Sequence, residues 1–433
     1  MEKRGFCAVA VAVLLTTGCG KEIGELKEAK EVNLVKEVDL MADITAGDVS
    51  GEVSGFRDDE EGAIALTDFG VRLLKNSVRK GENTLVSPAA VLYALGMVAN
   101  GAEGETLSQV EEAAGLSREE MNGYLYVYKE ALQEQGNSRC KVNLANSIWL
   151  RADDRLSVER DFLQVNADYY WADVYQVPFD RMGVERMNGW VSEKTYGMIK
   201  EFLSDVPEDA VMYLISTTAL DARWSEVYYT SSQGNFTKED GTVQQAEFMY
   251  GGEFHYLKDD TAQGFLKYYE GNQYAFAALL PDEGISVSDY VSSLTGEKLH
   301  GILVDSVHAQ VHTVLPKFEI RYEAEMSDIL GEMGIKDLFD AERADLSGMG
   351  SVEEGTLVVD RILHKTFISV DEQGTKAGAA AVDEACAVAE EPDEEIEIKV
   401  VRLDRPFLYM IIDQKTKTPV FIGTVMEMPS DVQ

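Results

Sequence analysis

A run of small residues followed by an acidic stretch, residues 372–395, most constrains what this chain can fold into. Five consecutive Ala or Gly residues occupy 377–381, and from Asp383 to Ile398 there are eight acidic residues and no basic one. Such a run neither fills a core strand nor forms a tight turn, yet apolar segments flank it on both sides. Because a loop of this length in a folded domain usually has a function, the sequence predicts an exposed, extended functional loop. The alternative is an acidic insertion without a function.

The chain around this loop predicts a single large α+β domain over residues 63–433. Helical spacing of Ile64, Phe69 and Leu73 marks an early helix, and Ser87-Pro88 marks the start of another. No Pro/Gly/Ser-rich linker and no internal repeat divides this range. Helices come first and strands dominate later, an order that favours α+β over alternating βα units. The predicted strands are 142–150, 211–220, 274–280, 307–315, 357–363, 407–413 and 419–427.

Residues 1–18 are predicted to be a signal peptide for export. Two basic residues precede an apolar run, 6–15, which is too short to span a bilayer. The segment Leu15-Thr16-Thr17-Gly18-Cys19 resembles a bacterial lipoprotein signal, in which Cys19 is lipidated and becomes the mature N-terminus. The alternative is an ordinary secretory signal that is cleaved nearby. In both cases the protein is exported.

Residues 19–62 are predicted to be a lipidated acidic tether. Residues 20–62 carry 13 acidic and 5 basic side chains, a composition that buries little surface and repels itself. The whole chain has a formal net charge of −38. This charge argues against a surface that binds nucleic acid or an anionic membrane, because binding phosphate groups needs clustered Lys and Arg.

Signals of an enzyme are weak. The nucleophile elbow G-x-S-x-G, the G-x-G-x-x-G loop, the P-loop and the zinc motif H-E-x-x-H are all missing from the sequence. His308 and His312 are predicted to lie on an exposed strand face rather than to bind a metal. Carboxylates around Cys386 would raise its pKa and weaken it as a nucleophile. We expect no cofactor and no metal; a hydrolase using Cys386 or a serine remains the alternative from this class.

Short motifs follow one another in a fixed order over about residues 60–430. They are Asn83-Thr84-Leu85-Val86-Ser87-Pro88, Asn100-Gly101-Ala102, Asn146-Ser147-Ile148-Trp149, Asn188-Gly189-Trp190-Val191, Leu315-Pro316-Lys317-Phe318, Met333-Gly334-Ile335, Asp371-Glu372-Gln373-Gly374-Thr375-Lys376-Ala377, Arg405-Pro406-Phe407 and Phe421-Ile422-Gly423. This ordered set resembles the serpin family, and residues 371–377 resemble the hinge that opens the serpin reactive loop.

The resemblance implies a suicide inhibitor of serine or cysteine proteases. A protease attacks the loop and becomes acylated, and the cut loop then inserts as a new strand into the main sheet and carries the enzyme with it. Loop insertion is a general property of serpins, so this mechanism is implied by the resemblance rather than by the residues alone. The implied hinge residues are Glu372, Gly374, Thr375, Ala377, Ala379, Ala380 and Ala381.

The residues of the hinge fit insertion, with one exception. Period-2 alternation places Thr375, Ala377, Ala379 and Ala381 on the inward face, and all four are small. The same alternation sends Asp383 inward, and burying an unpaired carboxylate costs several kcal/mol. Asp383 therefore supports the alternative of a serpin fold that no longer inhibits and acts as a surface binding or protease-sensing protein.

The family's spacing from the hinge Gly implies a reactive bond at Val388–Ala389, within a window from Ala385 to Glu390. A small aliphatic residue before the bond favours elastase-like or subtilisin-like targets. The acidic run that follows it favours proteases with a basic rim, through electrostatic steering.

The resemblance also implies two groups that control opening of the sheet. Ser87 and His364 match the hydrogen-bonded cluster beneath the sheet, in which Ser216 stands where Asn is usual. Trp224 matches the residue where the loop first enters, and Lys317 and Glu372 match a salt bridge near the hinge. For each of these residues the alternative is ordinary core packing. We expect a monomer whose partners are a covalently bound target protease and, through the lipid anchor, a membrane of the cell envelope.

Overall fold

The structure, a computed structural model, describes residues 37–56, 60–134, 140–153, 155–207, 210–353, 355–375 and 398–429. The predicted signal peptide and Cys19 lie outside the described residues. The α-helices found in these ranges are α1 Glu60–Ser77, α2 Pro88–Ala99, α3 Gly104–Ala114, α4 Arg118–Glu134, α5 Arg160–Tyr170, α6 Arg181–Lys194, α7 Val287–Ser293, α8 Gly296–Val304 and α9 Met326–Glu332.

Most of the remaining ordered chain is β-structure. The strands are β1 Val38–Asp39, β2 Thr84–Val86, β3 Cys140–Arg151, β4 Leu156–Val158, β5 Asp173–Val177, β6 Met212–Arg223, β7 Thr230–Thr237, β8 Val243–Lys258, β9 Ala262–Tyr268, β10 Tyr274–Pro281, β11 Val307–Pro316, β12 Phe318–Glu325, β13 Gly350–Val352, β14 Arg361–Val370, β15 Gly374–Thr375, β16 Ile398–Arg402, β17 Phe407–Asp413 and β18 Pro419–Val425. The α+β class predicted from the order of helices and strands is confirmed.

Two large sheets organise these strands. The main sheet has the order β1-β5-β3-β6-β15-β14-β12. The second sheet has the order β16-β11-β8-β9-β10-β17-β18-β2, and β7 pairs with β8. A third, two-stranded sheet joins β13 to β4. The predicted strand at 357–363 begins instead at Arg361, because Leu357 and Val359 are buried in irregular chain and the Val359 amide donates to Leu338.

Helix α2 lies in the centre of the core. Its Ser87 N-cap accepts a hydrogen bond from the Ala90 amide, and Pro88 occupies the first helical position, as the sequence predicted. Every residue of α2 is buried, which is the pattern of a helix surrounded by apolar neighbours. The main core therefore extends from α1 and α2 to the inner faces of both large sheets.

A second, smaller core lies on the opposite face of the main sheet. Trp190 of α6 packs against Trp149 of β3, with ring centroids 6.3 Å apart. Phe202, in the connection after α6, belongs to the same cluster as Tyr213 of β6 and Leu363 of β14. Helix α6 and its connection therefore cover one end of the main sheet.

Residues 37–56 differ from the predicted tether, because they pack against the folded domain. Strand β1 pairs with β5, and the Gly47 amide donates to Asp168 over 2.6 Å. Val53 is buried and belongs to a small cluster formed with α4. The apolar residues interspersed among the carboxylates bury enough surface to hold this segment in place. None of the helices in the described ranges is long and apolar enough to cross a membrane.

Candidate functional site: a fork in the main sheet

Strands β6 and β14 form a fork because they are parallel and adjacent, yet pair along only part of their length. Their register runs from Tyr213 opposite Arg361 to Thr217 opposite Lys365. Beyond that point, residues 218–221 of β6 and 366–369 of β14 have no ladder partner on their facing edges within the described part of the chain. A pair of unpaired edges in the middle of a sheet is a template for another strand.

The hinge enters the open end of this fork. After β14 the chain turns through Asp371, whose side chain accepts hydrogen bonds from the amides of Gln373 (2.7 Å) and Gly374 (3.1 Å). The short strand β15 then lies antiparallel to both neighbours, with Gly374 opposite Arg223 and Thr375 opposite Ala222 and Val370. The first two residues of the hinge strand therefore already occupy the fork.

Only small residues fit at the mouth of the fork. A Cβ atom on Gly374 would lie 2.1 Å from the carbonyl oxygen of Ala222, so this position requires glycine. Thr375 is 2% exposed, and its hydroxyl lies 2.5 Å from that of Tyr269 in a hydrogen bond. The inward direction predicted for Thr375 is the direction observed.

Trp224 binds the hinge through hydrogen bonds from both its backbone and its side chain. Its amide donates to Gln373 (2.9 Å) and its indole N–H to the carbonyl of Asp371 (2.8 Å). The indole is stacked on Tyr269, with centroids 4.5 Å apart and an angle of 11° between the rings. A third bond runs from the Tyr228 amide to Glu372, over 3.0 Å. Trp224 therefore contacts the chain on both sides of Glu372, at the turn before β15.

Lys317 and Glu372 form an ion pair beside the hinge, and Lys317 also contacts Glu247 at 3.0 Å. Partial burial disfavours the charged ammonium, but hydrogen bonds to the two carboxylates outweigh it and raise the pKa of Lys317. The group stays cationic and links the hinge to β8.

A second ion pair lies under the entry, and the sequence pattern did not identify it. Lys267 of β9 contacts Glu253 of β8 at 2.7 Å, with side chains only 4% and 11% exposed. The ammonium also lies over the rings of Tyr228 (4.3 Å) and Trp224 (5.5 Å). Burial raises the pKa of Glu253, against the opposing effect of its partner. A lysine inside the apolar segment Phe265-Leu266-Lys267-Tyr268 was the available sequence signal.

The predicted cluster beneath the sheet is only partly assembled. The Ser87 amide donates to His364 Nε2 (3.0 Å), while the Ser87 hydroxyl bonds to Thr218 (2.9 Å) rather than to Ser216. Complete burial lowers the pKa of His364 to about 3, so its imidazole is neutral. Because Nε2 accepts a bond, the proton of the neutral ring lies on Nδ1.

Beside this cluster, buried polar atoms lie in a row across three strands. Ser216 is opposite Asn146 on β3 and His364 on β14. The Ser216 hydroxyl, His364 Nδ1 and both polar atoms of the Asn146 side chain have no hydrogen-bond partner among the described residues. The closed end of the fork therefore carries a row of polar groups inside the core.

The connection after α6 bridges the closed end of the fork on the other face. Phe202 belongs to the same apolar cluster as Tyr213 of β6 and Leu363 of β14, the two strands of the fork. Lys365 of β14 binds Glu323 at 2.7 Å, and its ammonium donates to the carbonyl of Glu201 at 3.4 Å. The ion pair with Glu323 lies on the β12 side of β14, so a strand entering between β6 and β14 would disturb the connection after α6 rather than that ion pair.

The remaining predicted residues fall into two groups. His308 and His312 are exposed on β11, and no cluster of three or more metal-binding side chains occurs in the described ranges. The residues that lie outside the described ranges are Ala377, Ala379, Ala380, Ala381, Asp383, Cys386, Val388 and Ala389.

Comparisons with known proteins agree with this geometry. A profile of the family described as "Serpin (serine protease inhibitor)" matches residues 64–428. A serpin-like protein of Thermococcus kodakarensis is 28% identical over 375 residues, which cover 85% of each chain. The crystal structure of the thermophilic serpin tengpin in its native state is 40% identical, with a TM-score of 0.83 over 91% of this chain and 100% of that one. Its latent state gives a TM-score of 0.74 at 38% identity, over 86% of this chain and 99% of that one.

Proposed function

The chain belongs to the serpin family, and we propose that it is a suicide inhibitor of serine proteases, with cysteine proteases as a second class of target. Family members are generally protease inhibitors rather than catalysts. In the proposed mechanism, the protease cleaves the loop, forms an acyl-enzyme, and is trapped when the loop inserts into the fork between β6 and β14.

The observation that supports this proposal is the fork, in which β15 occupies only the open end. Beyond the two residues of β15, the edges of residues 218–221 and 366–369 lack a ladder partner among the described residues. Continuing β15 gives each of these edges a ladder partner. In the proposed mechanism, cleavage between β15 and β16 frees the chain after β15 to continue into the fork.

The register of β15 specifies the neighbours of each inserted residue. If β15 continues in the same register, Ala377 lies between Leu220 and Ile368. Two residues further along, Ala379 lies between Thr218 and Thr366. All four neighbours are buried or face the core, so only small side chains fit there. On the other face, Lys376 would lie beside Asp221, an opposite charge.

Asp383 is the residue that opposes insertion. The same register places it between Leu214 and Ile362, both of which are completely buried. Next to it, Glu384 would lie beside Arg361, which is partly exposed and able to pair with it. Insertion of the full strand therefore requires Asp383 to become neutral. If Asp383 stays charged, the inserted strand ends before it.

The proposed reactive bond is Val388–Ala389, within the window 385–390. A small aliphatic residue at this bond suits a shallow apolar primary pocket, so we propose elastase-like and subtilisin-like proteases as targets. The acidic residues after the bond favour enzymes with a basic rim.

We further propose that the chain is exported and attached to the cell envelope through a lipid on Cys19. One acylated N-terminus anchors a protein without spanning the bilayer. Residues 37–56 contact the domain, so only the residues between Cys19 and this segment are available as a spacer.

A second candidate function is a serpin fold that binds or senses proteases without trapping them. The observation that favours it is the fully apolar site that the register assigns to Asp383. In that case cleavage proceeds to completion without a covalent product.

The test is to mix the full chain with pancreatic elastase and with subtilisin and to analyse the products on a denaturing gel. A band at the summed mass, with a released peptide starting near Ala389, supports inhibition. Cleavage without this band supports the non-inhibitory candidate, and catalytic turnover of a substrate by the chain itself would overturn both.

A matched pair of variants separates insertion from cleavage. Ala379→Arg places a large cation between Thr218 and Thr366, and should be cleaved normally but form no covalent band. Gly378→Arg places the same side chain on the outward face, and should retain a much larger covalent fraction.

A further inference from the structure

A cleft lies between the connection after α6 and two strands of the main sheet. Residues 196–201 form one wall, and residues 321–323 of β12 and 365–367 of β14 form the other. Its volume is about 780 Å³, within the range of about 300–1,000 Å³ that is typical of sites for small organic ligands. The proposed trapping of a protease needs no ligand at this place. We name it the α6 cleft.

The sheet side of the α6 cleft carries one aromatic ring and two cations that already have partners. Arg321 is opposite Phe367 and Glu323 is opposite Lys365, so these four side chains lie on one face of the sheet. The Arg321 guanidinium lies over the ring of Phe367, 4.7 Å from its centroid. Arg321 pairs with Glu319 at 2.9 Å, and Lys365 pairs with Glu323 at 2.7 Å.

The opposite wall is held in shape by its own hydrogen bonds. Tyr196 and Gly197 have left-handed backbone angles, with φ of 53° and 78°, which turn the chain away from α6. The buried Thr195 hydroxyl donates to the Val191 carbonyl over 2.7 Å and accepts from the Ile199 amide over 3.2 Å. The chain itself therefore shapes this wall, without help from a ligand.

Two side chains of this wall are available to a ligand. Tyr196 is 54% exposed, although it is a large aromatic residue. Lys200 is exposed and forms no ion pair with any residue that the structure describes. The α6 cleft therefore offers two aromatic rings, Tyr196 and Phe367, one on each wall, together with one ammonium group. Flat aromatic ligands stack on such rings.

The charges around the α6 cleft limit the ligand to a single negative charge. Lys200 is the lining cation that remains for an anion, because Arg321 and Lys365 are already paired. Glu201 also lines the cleft and adds a carboxylate nearby. The whole chain carries a net charge of −38, which repels ligands with several negative charges, such as nucleotides.

We propose that the α6 cleft is a binding site for a small aromatic monoanion, with an aromatic monocarboxylate as the type of ligand. Its ring packs between Tyr196 and Phe367, and its carboxylate binds the Lys200 ammonium. The inference goes beyond the proposed function, because binding requires neither a protease nor a cleaved loop.

The experiment is isothermal titration calorimetry of the intact full chain with 2-naphthoate as the probe. The neutral 2-naphthalenemethanol and the doubly charged 2-naphthyl phosphate have the same ring and test the charge. Two variants test the site. Lys200→Gln removes the cation, and Tyr196→Asn removes the ring while keeping a residue that tolerates left-handed backbone angles.

The matched controls make the same substitutions outside the cleft. They are Lys336→Gln, at an exposed lysine, and Tyr229→Asn, at a tyrosine that is 77% exposed. All four substituted side chains are exposed, so we expect the variants to fold. Should Tyr196→Asn unfold, Lys200→Gln with its control decides in the same way.

We expect 2-naphthoate to bind the unsubstituted chain with a Kd on the order of 0.1 mM. Each cleft variant should raise this Kd by roughly threefold to tenfold, the effect of losing one stacking contact or one exposed ion pair. The controls should change it by less than about twofold. The alcohol and the phosphate ester should both bind more weakly than the carboxylate.

Three results would overturn the proposal. The first is a Kd of 2-naphthoate above about 10 mM, and the second is a Kd that the cleft variants change no more than the controls do. The third is binding of the alcohol or the phosphate ester at least as tight as that of the carboxylate. Because the titration uses the intact chain alone, its outcome does not depend on whether the chain traps proteases.

Discussion

Replacing Asp383 by alanine should raise the fraction of cleavage events that end in a covalent complex with the protease. The register that starts at Gly374 and Thr375 places this carboxyl between Leu214 and Ile362, both 0% exposed, once the loop is fully inserted. The substitution therefore acts on the inserted state and on the step that leads to it.

The magnitude follows from the pKa of an ordinary carboxyl. A buried carboxyl without a partner becomes protonated, and at pH 7 protonation of a group with a pKa of 3.9 costs about 4 kcal/mol. At pH 5 the same step costs about 1.5 kcal/mol. If about a third of this cost is felt in the transition state of insertion, Asp383→Ala speeds insertion roughly tenfold at pH 7 and roughly twofold at pH 5.

The assay is the ratio of covalent complex to cleaved chain on a denaturing gel, taken relative to the unsubstituted chain at the same pH. This relative ratio removes the pH dependence of the protease itself. Glu384→Ala is the matched control, because the register places Glu384 beside the partly exposed Arg361, and its ratio should change less than twofold. The same change in both variants, or an effect of Asp383→Ala that does not shrink at pH 5, would refute the register.

Other predictions concern stability. Glu253→Gln leaves a buried ammonium without its carboxylate and should lower the free energy of unfolding by about 3 kcal/mol. Glu185 forms an exposed i,i+4 ion pair with Arg181, so the control Glu185→Gln should lower it by less than about 0.5 kcal/mol; both are measured by chemical denaturation. The folded-state pKa of His364 is about 3, below that of the unfolded chain. Its contribution to the free energy of unfolding is therefore constant above pH 6.5 and decreases below that pH by up to about 1.4 kcal/mol per pH unit. His364→Gln should remove this part of the pH dependence of stability, and equal slopes for the two chains would contradict it. Gly123→Ala would place a Cβ 2.2 Å from the ring of Phe56, and should release residues 37–56 to proteolysis that the unsubstituted chain resists.

The motifs of the hinge could be located from the sequence because each reflects a local requirement. Gly374 lies against a carbonyl that leaves no room for a side chain, and Thr375 faces the core. Such positions accept few residue types, and both belong to the motif of residues 371–377 that resembles the serpin hinge. The ion pair of Lys317 with Glu372 was also anticipated, through the resemblance rather than through spacing.

Long-range pairings could not be predicted in the same way. The contact of Lys267 with Glu253 joins two strands through register, and the row formed by Asn146, Ser216 and His364 joins three. Hydrophobic alternation assigns a face to each residue but does not say which strands are neighbours. The extent of the fork is likewise a property of strand order, which the sequence pattern leaves open.

The packing of residues 37–56 was missed for a different reason. Their many carboxylates dominate the composition, and composition predicted a solvated tether. Val53 and Phe56 nevertheless contact α4, Phe56 at a position where Gly123 leaves space for its ring. A few well-placed apolar residues outweigh the average character of a segment when the partner surface is shaped to receive them.

Hydrogen exchange at the two edges of the fork tests the central claim most directly. Amides in residues 218–221 and 366–369 that point into the fork have no ladder partner in the described conformation. After cleavage of the loop, an inserted strand should protect these amides by at least about a hundredfold in exchange rate, a change worth about 2.7 kcal/mol of local stability, while amides of β10 in the second sheet stay unchanged. Unchanged exchange at both edges in the cleaved chain would contradict insertion into this fork.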